Sequence, residues 1–329
     1  MVFLAGLAAL IAGAEMVLRG GARLAALMGV RPLVIGLTVV SIGTSAPELA
    51  VGITASLEGS GSISVANIAG TNIINILFIL GISALFRPLM LHLQVIKLDL
   101  PMMVIAAGLM AALARDGVLT FLDGILLIAA AIPYTILLLR QHESTAIEEE
   151  FEDMCGEVMG KSCEGGHPGR KRNARRARLK NVVLLAAGIG ISVIGARWAV
   201  DGAVEMARAL HVSEAIIGLT VVAIGPSSPE LVTTIIATVR NERDVAVGNL
   251  LGSSIYNILV ILGLTCIASS GGLHVERQLL MFDIPLMAVV ALACVPVFWS
   301  GKCISRWEGG LGVAAYVIYL LWLVFIRVW

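Results

Sequence analysis

The sequence predicts an all-α integral membrane protein of ten transmembrane helices, arranged as two inverted five-helix repeats. Three observations predict it. Hydrophobic residues fill 58% of the 329 positions and charged residues only 14%, where soluble domains carry about a quarter charged. Apolar runs of about 17–25 residues, long enough to cross a bilayer, recur along the chain. Residues 35–51, IGLTVVSIGTSAPELAV, return as 217–233, IGLTVVAIGPSSPELVT, with 12 of 17 positions identical at an offset of 182.

The expected spans lie near 2–18, 33–55, 65–86, 98–114, 118–139, 181–199, 215–238, 246–268, 279–299 and 309–327. The first is read as a retained helix: Met1 leads into it without a basic flank, and no A-x-A-like cleavage site precedes Arg19. Nine of the 23 Lys and Arg residues fall in 140–180, and nine more (Arg19, Arg23, Arg31, Arg87, Lys97, Arg240, Arg243, Lys302, Arg306) mark span ends on the same face. Only Arg115, Arg197, Arg208, Arg277 and Arg327 mark the other face. Cytoplasmic loops are enriched in Lys and Arg. The 140–180 loop is therefore expected in the cytoplasm and both termini outside it, in a multi-pass plasma-membrane protein.

The repeat extends beyond its best-matched stretch. Asn67, Gly70, Asn75 and Gly81 fall on Asn249, Gly252, Asn257 and Gly263, and Gly13 and Gly20 on Gly195 and Gly202. A duplicated unit with an odd number of spans enters the membrane upside down in its second copy, which is the plan of many secondary transporters. Segment 140–180 interrupts it. It runs from acidic (Glu148, Glu149, Glu150, Glu152, Asp153) to basic (Arg170 to Lys180), lacks an apolar period, and reads as a flexible linker whose basic half suits anionic lipid.

Both copies keep a carboxylate inside a span, Glu48 and Glu230. An ionised side chain at the bilayer centre costs about 2.5–3.5 kcal/mol on insertion scales, so each needs a partner. A structural ion pair is one reading, but no Lys or Arg lies at comparable depth in spans two, three, seven or eight. That leaves a mobile cation or a proton as the counter-charge. Thr44 and Ser45 share the helix face of Glu48, and Ser227 that of Glu230. Asn67, Thr71 and Asn75 repeat every four residues, as do Asn249, Ser253 and Asn257. Each copy thus sets hard oxygens beside a carboxylate, the ligand type of sodium and calcium. Pro47 and Pro229 deny a donor to the carbonyls of Gly43 and Gly225, loosening backbone where it could line a cavity or bind an ion. A plain proline kink is the alternative.

Other classes fit less well. No basic-aromatic surface suggests nucleic acid, and the net charge is zero. Cys155, Cys163, Cys266, Cys294 and Cys303 form no CxxC and read as isolated thiols. Neither Ser45 nor Ser227 has a His or Lys nearby in sequence to activate it, so no enzyme and no cofactor is expected. Nothing looks like the selectivity-filter loop of a channel. Asp99 and Asp283, in LDLP and FDIP, read as helix-start residues.

GTSAPE at 43–48 with ANIAGTNIIN at 66–75, and GPSSPE at 225–230 with GNLLGSSIYN at 248–257, resemble the paired motifs of the calcium/cation antiporter superfamily, most closely its sodium/calcium exchanger branch of the prokaryotic ten-helix type. The resemblance covers the chain apart from 140–180. It implies two exchanger repeat domains, 1–139 and 181–329, around a charged linker. It implies a secondary antiporter that exchanges calcium for sodium by alternating access, electrogenically and in the direction of calcium extrusion. A proton-coupled cation antiporter is the alternative. For calcium it implies the carboxylates of Glu48 and Glu230 with the carbonyls of Thr44 and Pro226. For sodium it implies Ser45, Thr71, Ser227 and Ser253 with the carbonyls of Ser41 and Ala223. Asn75 and Asn257 fall between the carboxylates, and Asn67 and Asn249 line the region. The chain departs from the family pattern at Pro226, where Thr is usual, and at Asn257, where Asp is usual. The expected partners are the two ions and lipid, in a monomer or weak homo-oligomer.

Overall fold

The computed structural model describes residues 2–28, 32–140, 169–210 and 224–328. Helices dominate: α1 Val2–Met28, α2 Pro32–Thr44, α3 Ala46–Leu57, α4 Gly61–Phe86, α5 Val95–Asp116, α6 Phe121–Arg140, α7 Gly169–Ala209, α8 Ser228–Val239, α9 Arg243–Ala268, α10 Leu279–Gly301 and α11 Arg306–Val328. Among them α1, α4, α5, α6, α9, α10 and the Ala177–Ala209 part of α7 are long and apolar enough to cross a membrane. The pair α2 and α3, bent by 41°, makes an eighth such element. The chain is an all-α, multi-pass membrane protein, with exposed Leu4, Ile11, Leu122, Leu126, Trp299 and Phe325 on its perimeter as lipid contact demands.

Several expected elements differ in extent. The first helix continues to Met28 instead of stopping at 18. The basic end of the expected linker is ordered: residues 169–180 form the first three turns of α7, because Arg, Lys and Ala are good helix formers even without an apolar stripe. The expected second span is two helices joined at Ser45. Of the expected seventh, 215–238, the part before Ile224 lies outside the described residues, as does 141–168 of the linker.

Glycine sets the closest helix approach. Gly6, Gly13 and Gly20 recur every seven residues on α1, and Gly188, Gly195 and Gly202 on α7. A Cβ at Gly13 would lie 2.4 Å from Ser192 Oγ and 2.6 Å from its backbone nitrogen, and one at Gly195 2.6 Å from the nitrogen of Leu10. Small residues let membrane helices pack backbone to backbone. Gly81 of α4 meets Gly309 of α11 in the same way, and Gly124 of α6 meets Gly263 of α9.

The ends of α4 define two faces. Glu58 and Gly61 lie at one, Arg87 at the other, where it donates to Asn241 Oδ1 at 3.2 Å. Each face carries a two-residue antiparallel ribbon. β1 (Leu89–Met90) pairs with β4 (Cys303–Ile304) on the Arg87 face, and β2 (Val118–Leu119) with β3 (Leu273–His274) on the Glu58 face. At the centre run α4 and α9. In their most apolar 18-residue stretches 72% and 83% of residues are enclosed, against 28% for α6. Those two central helices and the α2–α3 break hold the site.

Candidate cation site

The break between α2 and α3 begins with proline. Pro47 sits in the first turn of α3, where its missing N–H removes a bond to the preceding turn. Ser45 takes φ −82°, ψ 11° at the junction. Ser227, just before Pro229 and α8, takes φ −81°, ψ 5°. The two serines thus occupy the same backbone conformation at the same point of the repeated motif. One residue beyond each proline lies the glutamate.

The glutamates meet across the repeats. Ser45 Oγ donates to Glu230 Oε1 at 3.0 Å, and Ser227 Oγ donates to Glu48 Oε1 at 3.4 Å. Each serine therefore serves the carboxylate of the other copy. Thr71 Oγ1 lies 3.3 Å from Ser227 Oγ, and Ser253 Oγ donates to the Ser41 carbonyl at 3.5 Å. The Ser41 hydroxyl donates to the carbonyls of Gly36 at 2.5 Å and Asn249 at 3.1 Å. Ser41, Thr44, Ser45, Glu48, Asn75, Ser227, Glu230, Asn249, Ser253 and Asn257 are fully enclosed.

Enclosure makes the unpaired atoms informative. Oε2 of Glu48, Oε2 of Glu230, and both amide atoms of Asn75 and of Asn257 are buried without a hydrogen-bond partner among the described residues. The large majority of buried side-chain polar atoms have a hydrogen-bond partner, and an unpaired buried charge costs far more than an unpaired amide. Both asparagines stand in π-helical stretches, Ile74–Ile79 of α4 and Asn257–Leu262 of α9. Such wide turns concentrate at functional sites. No three His, Cys, Asp or Glu side chains gather as a metal cluster among the described residues. A cation here would therefore rely on carboxylate oxygens supplemented by hydroxyls, amides and carbonyls, a hard donor set.

The structure thus brings together Glu48, Glu230, Ser41, Thr44, Ser45, Thr71, Ser227, Ser253 and Asn249. Asn75 and Asn257, four residues after Thr71 and Ser253, are enclosed and make none of these bonds. Asn67 is less enclosed than Asn249, though its Nδ2 is buried and unpaired among the described residues. Pro226 lines a cavity of about 490 Å³ on the Glu58 face. Ala223 lies outside the described residues.

Thr234 and the tyrosine partners of Asp99 and Asp283 are not marked in the sequence. Thr234 accepts from Asn249 Nδ2 at 3.1 Å, but its repeat mate is Gly52, so no repeated pattern marks it. Asp99, expected at a helix start, stands instead at the end of the π-helical stretch Val95–Asp99 inside α5, where it accepts from Tyr134 at 3.0 Å. Asp283 in α10 likewise accepts from Tyr319 at 2.7 Å. The Asp positions differ by 184 and the Tyr positions by 185. A search for the repeat that allowed short insertions would have found both pairs.

Comparison with known proteins gives the family of the chain. The chain matches the family described as Sodium/calcium exchanger protein over residues 1–140 and 180–325. It is 32% identical to Inner membrane protein YrbG of Escherichia coli, over 97% of this chain and 93% of that protein. It is 31% identical to Sodium/calcium exchanger MaX1 of Methanosarcina acetivorans, over 99% and 98%. A solved structure of the sodium-calcium exchanger NCX_Mj, soaked with 10 mM Na+ and zero Ca2+, superposes with a TM-score of 0.77 at 29% identity, covering 97% of each chain.

Proposed function

The chain belongs to the sodium/calcium exchanger protein family, and from that premise we propose that it is a secondary antiporter exchanging calcium for sodium by alternating access. The family is one of exchangers, not of catalysts. The observation that carries the reading is the crosswise pairing of Ser45 with Glu230 and Ser227 with Glu48. It supports one enclosed site with two carboxylates, whose charge of −2 one calcium ion would balance.

The proposed ligands follow from their places. Glu48 and Glu230 supply the carboxylates for calcium, with the carbonyls of Thr44 and Pro226. Ser45, Thr71, Ser227 and Ser253, with the carbonyls of Ser41 and Ala223, supply neutral oxygens for sodium. Asn75 and Asn257 add amide oxygens between the carboxylates. With Asn257 neutral, three sodium ions would bring one charge more than the site balances. Replacing one calcium by three sodium ions would then move one net charge per cycle, in the direction of calcium extrusion.

For the architecture we propose ten spans in two inverted five-helix domains, 1–139 and 181–329, around a charged linker. Three reciprocal contacts support it: Gly81–Gly309 with Gly124–Gly263, β1–β4 with β2–β3, and the two Tyr–Asp pairs. The weight of Lys and Arg on the Arg87 face supports a cytoplasmic position for it, in a plasma-membrane monomer or weak homo-oligomer with external termini.

Sealed vesicles containing the purified protein test the exchange. An imposed sodium gradient should drive calcium uptake, and Glu48→Gln or Glu230→Gln should abolish it. Calcium flux that ignores sodium and follows a pH gradient would replace this reading with a proton-coupled antiporter.

A further inference from the structure

The repeat is not symmetric around its carboxylates, and the difference falls on hydrogen bonding. On the Arg87 side of the site, Thr44 Oγ1 donates to Asn249 Oδ1 at 3.1 Å and Asn249 Nδ2 donates to Thr234 Oγ1 at 3.1 Å. This chain ties α2 to α9 and α9 to α8. All three residues are fully enclosed, and beneath them Ala237, Val245 and Ala246 pack with Leu18. Moving each residue by the 182-residue offset gives Pro226, Asn67 and Gly52 on the Glu58 side. Pro226 has no hydroxyl and Gly52 has no side chain. Asn67, the one polar member left, keeps a buried Nδ2 without a partner among the described residues.

A second observation lies on that same side. The cavity of about 490 Å³ is lined by Pro47, next to Glu48, and by Pro226, four residues before Glu230, and runs past Ala55 to Glu58, Arg197 and Asp201. The Arg87 face has a cavity as well, of about 610 Å³ between Pro32, His92, Asn241 and Asp244, but neither Thr44, Asn249 and Thr234 nor the residues beside the glutamates line it. The cavity that reaches the neighbours of the glutamates lies on the side where the chain has lost its members.

We propose that Thr44, Asn249 and Thr234 form a one-sided clamp that holds the Arg87 face shut, and that Pro226 and Gly52 leave the Glu58 face without its counterpart. The clamp makes the state open toward the Glu58 face the resting state. Asn249 and Thr234 are positioning residues: they set which face opens, through the helices they tie, without ligating an ion. This inference rests on the alternating-access reading, and it names the element that biases it.

The test is side-specific labelling of the full chain in sealed vesicles with a membrane-impermeant maleimide. Cys155, Cys163 and Cys303 are replaced by serine, and the enclosed Cys266 and Cys294 are kept. The reporters are Ala55→Cys, in the cavity, and its repeat mate Ala237→Cys, which is fully enclosed. Without other changes, Ala55→Cys should react from the Glu58 side and Ala237→Cys should be protected from the Arg87 side. Adding Thr234→Val, which keeps the shape and removes the hydroxyl, should raise Ala237→Cys labelling and lower Ala55→Cys labelling, so that the ratio of the two changes about two- to tenfold, the range expected for one net hydrogen bond. Thr234→Ser should leave both unchanged. Pro226→Thr, which returns a hydroxyl at the repeat position of Thr44, should lower Ala55→Cys labelling. If Thr234→Val leaves both reporters unchanged, or moves both the same way, the clamp is wrong. Labelling requires no ion gradient. Absent sodium-driven calcium flux would therefore overturn the exchange reading alone, and unchanged labelling with intact flux would overturn the clamp alone.

Discussion

Replacing Gly252 by alanine should damage both packing and ion binding. A Cβ at Gly252 would lie 2.4 Å from the Leu37 carbonyl oxygen, 2.8 Å from Leu37 Cα and 2.2 Å from Ser41 Oγ. The serine hydroxyl can rotate away, but the Leu37 backbone cannot. Ordinary van der Waals contact between such atoms is about 3.5–4.0 Å, so α2 must retreat from α9 by roughly 1 Å. Overpacking of this kind costs about 1–3 kcal/mol. The same retreat stretches the Ser41 bonds to the carbonyls of Gly36 and Asn249 and loosens the link from Thr44 to Asn249. At about 2–4 °C per kcal/mol for a chain of a few hundred residues, the thermal midpoint in detergent micelles should fall by roughly 2–12 °C. Calcium affinity, titrated on the same sample well below the midpoint, should fall as well, because Ser41 and Thr44 move with α2. Gly190→Ala is the control, since nothing among the described residues lies within 4 Å of a Cβ there. A Gly252→Ala protein with the parent's midpoint and affinity would refute the backbone-tight approach of α2 to α9.

Further outcomes follow from the same contacts. Glu230→Gln keeps the shape of the side chain and removes one of two buried charges. A unit charge pair at 4 Å is worth about 4 kcal/mol at an effective dielectric of about 20, and a divalent ion feels twice that. Calcium affinity should therefore fall about 30- to 700-fold more than sodium affinity, equivalent to about 2–4 kcal/mol after relaxation, measured by competition binding; equal losses would contradict the assignment. Gly13→Ala, which drives a Cβ onto the Ser192 backbone, should lower the thermal midpoint by the equivalent of about 1–3 kcal/mol. Tyr134→Phe withdraws a hydrogen bond from the fully enclosed Asp99 and should cost about 1–3 kcal/mol. Tyr319→Phe, at a part-buried pair, should cost less by the same thermal melt.

The plan of the site was legible because the chain states it twice. Glu48 and Glu230 stand out as carboxylates in apolar runs, and a constant offset of 182 aligns Ser45 with Ser227, Thr71 with Ser253 and Asn75 with Asn257. What the sequence could not supply was the crosswise pairing, since either serine could have served its own glutamate. The Tyr–Asp pairs hid because the register drifts past 182 after the central helices. Thr234 hid for the opposite reason: its mate is Gly52, so the repeat pattern is blind to it. The helix over 169–180 is not legible from an apolar period, because charged helix formers extend α7 without one.

The central claim is that Glu48 and Glu230 serve one site. Calorimetric titration of calcium into the purified protein in nanodiscs, at fixed sodium, tests it most directly. A shared site takes up one high-affinity calcium per chain and loses it in Glu48→Gln and in Glu230→Gln alike. If either single variant keeps a full-strength calcium site, with stoichiometry reduced from two to one, each carboxylate holds its own ion and the shared site is contradicted.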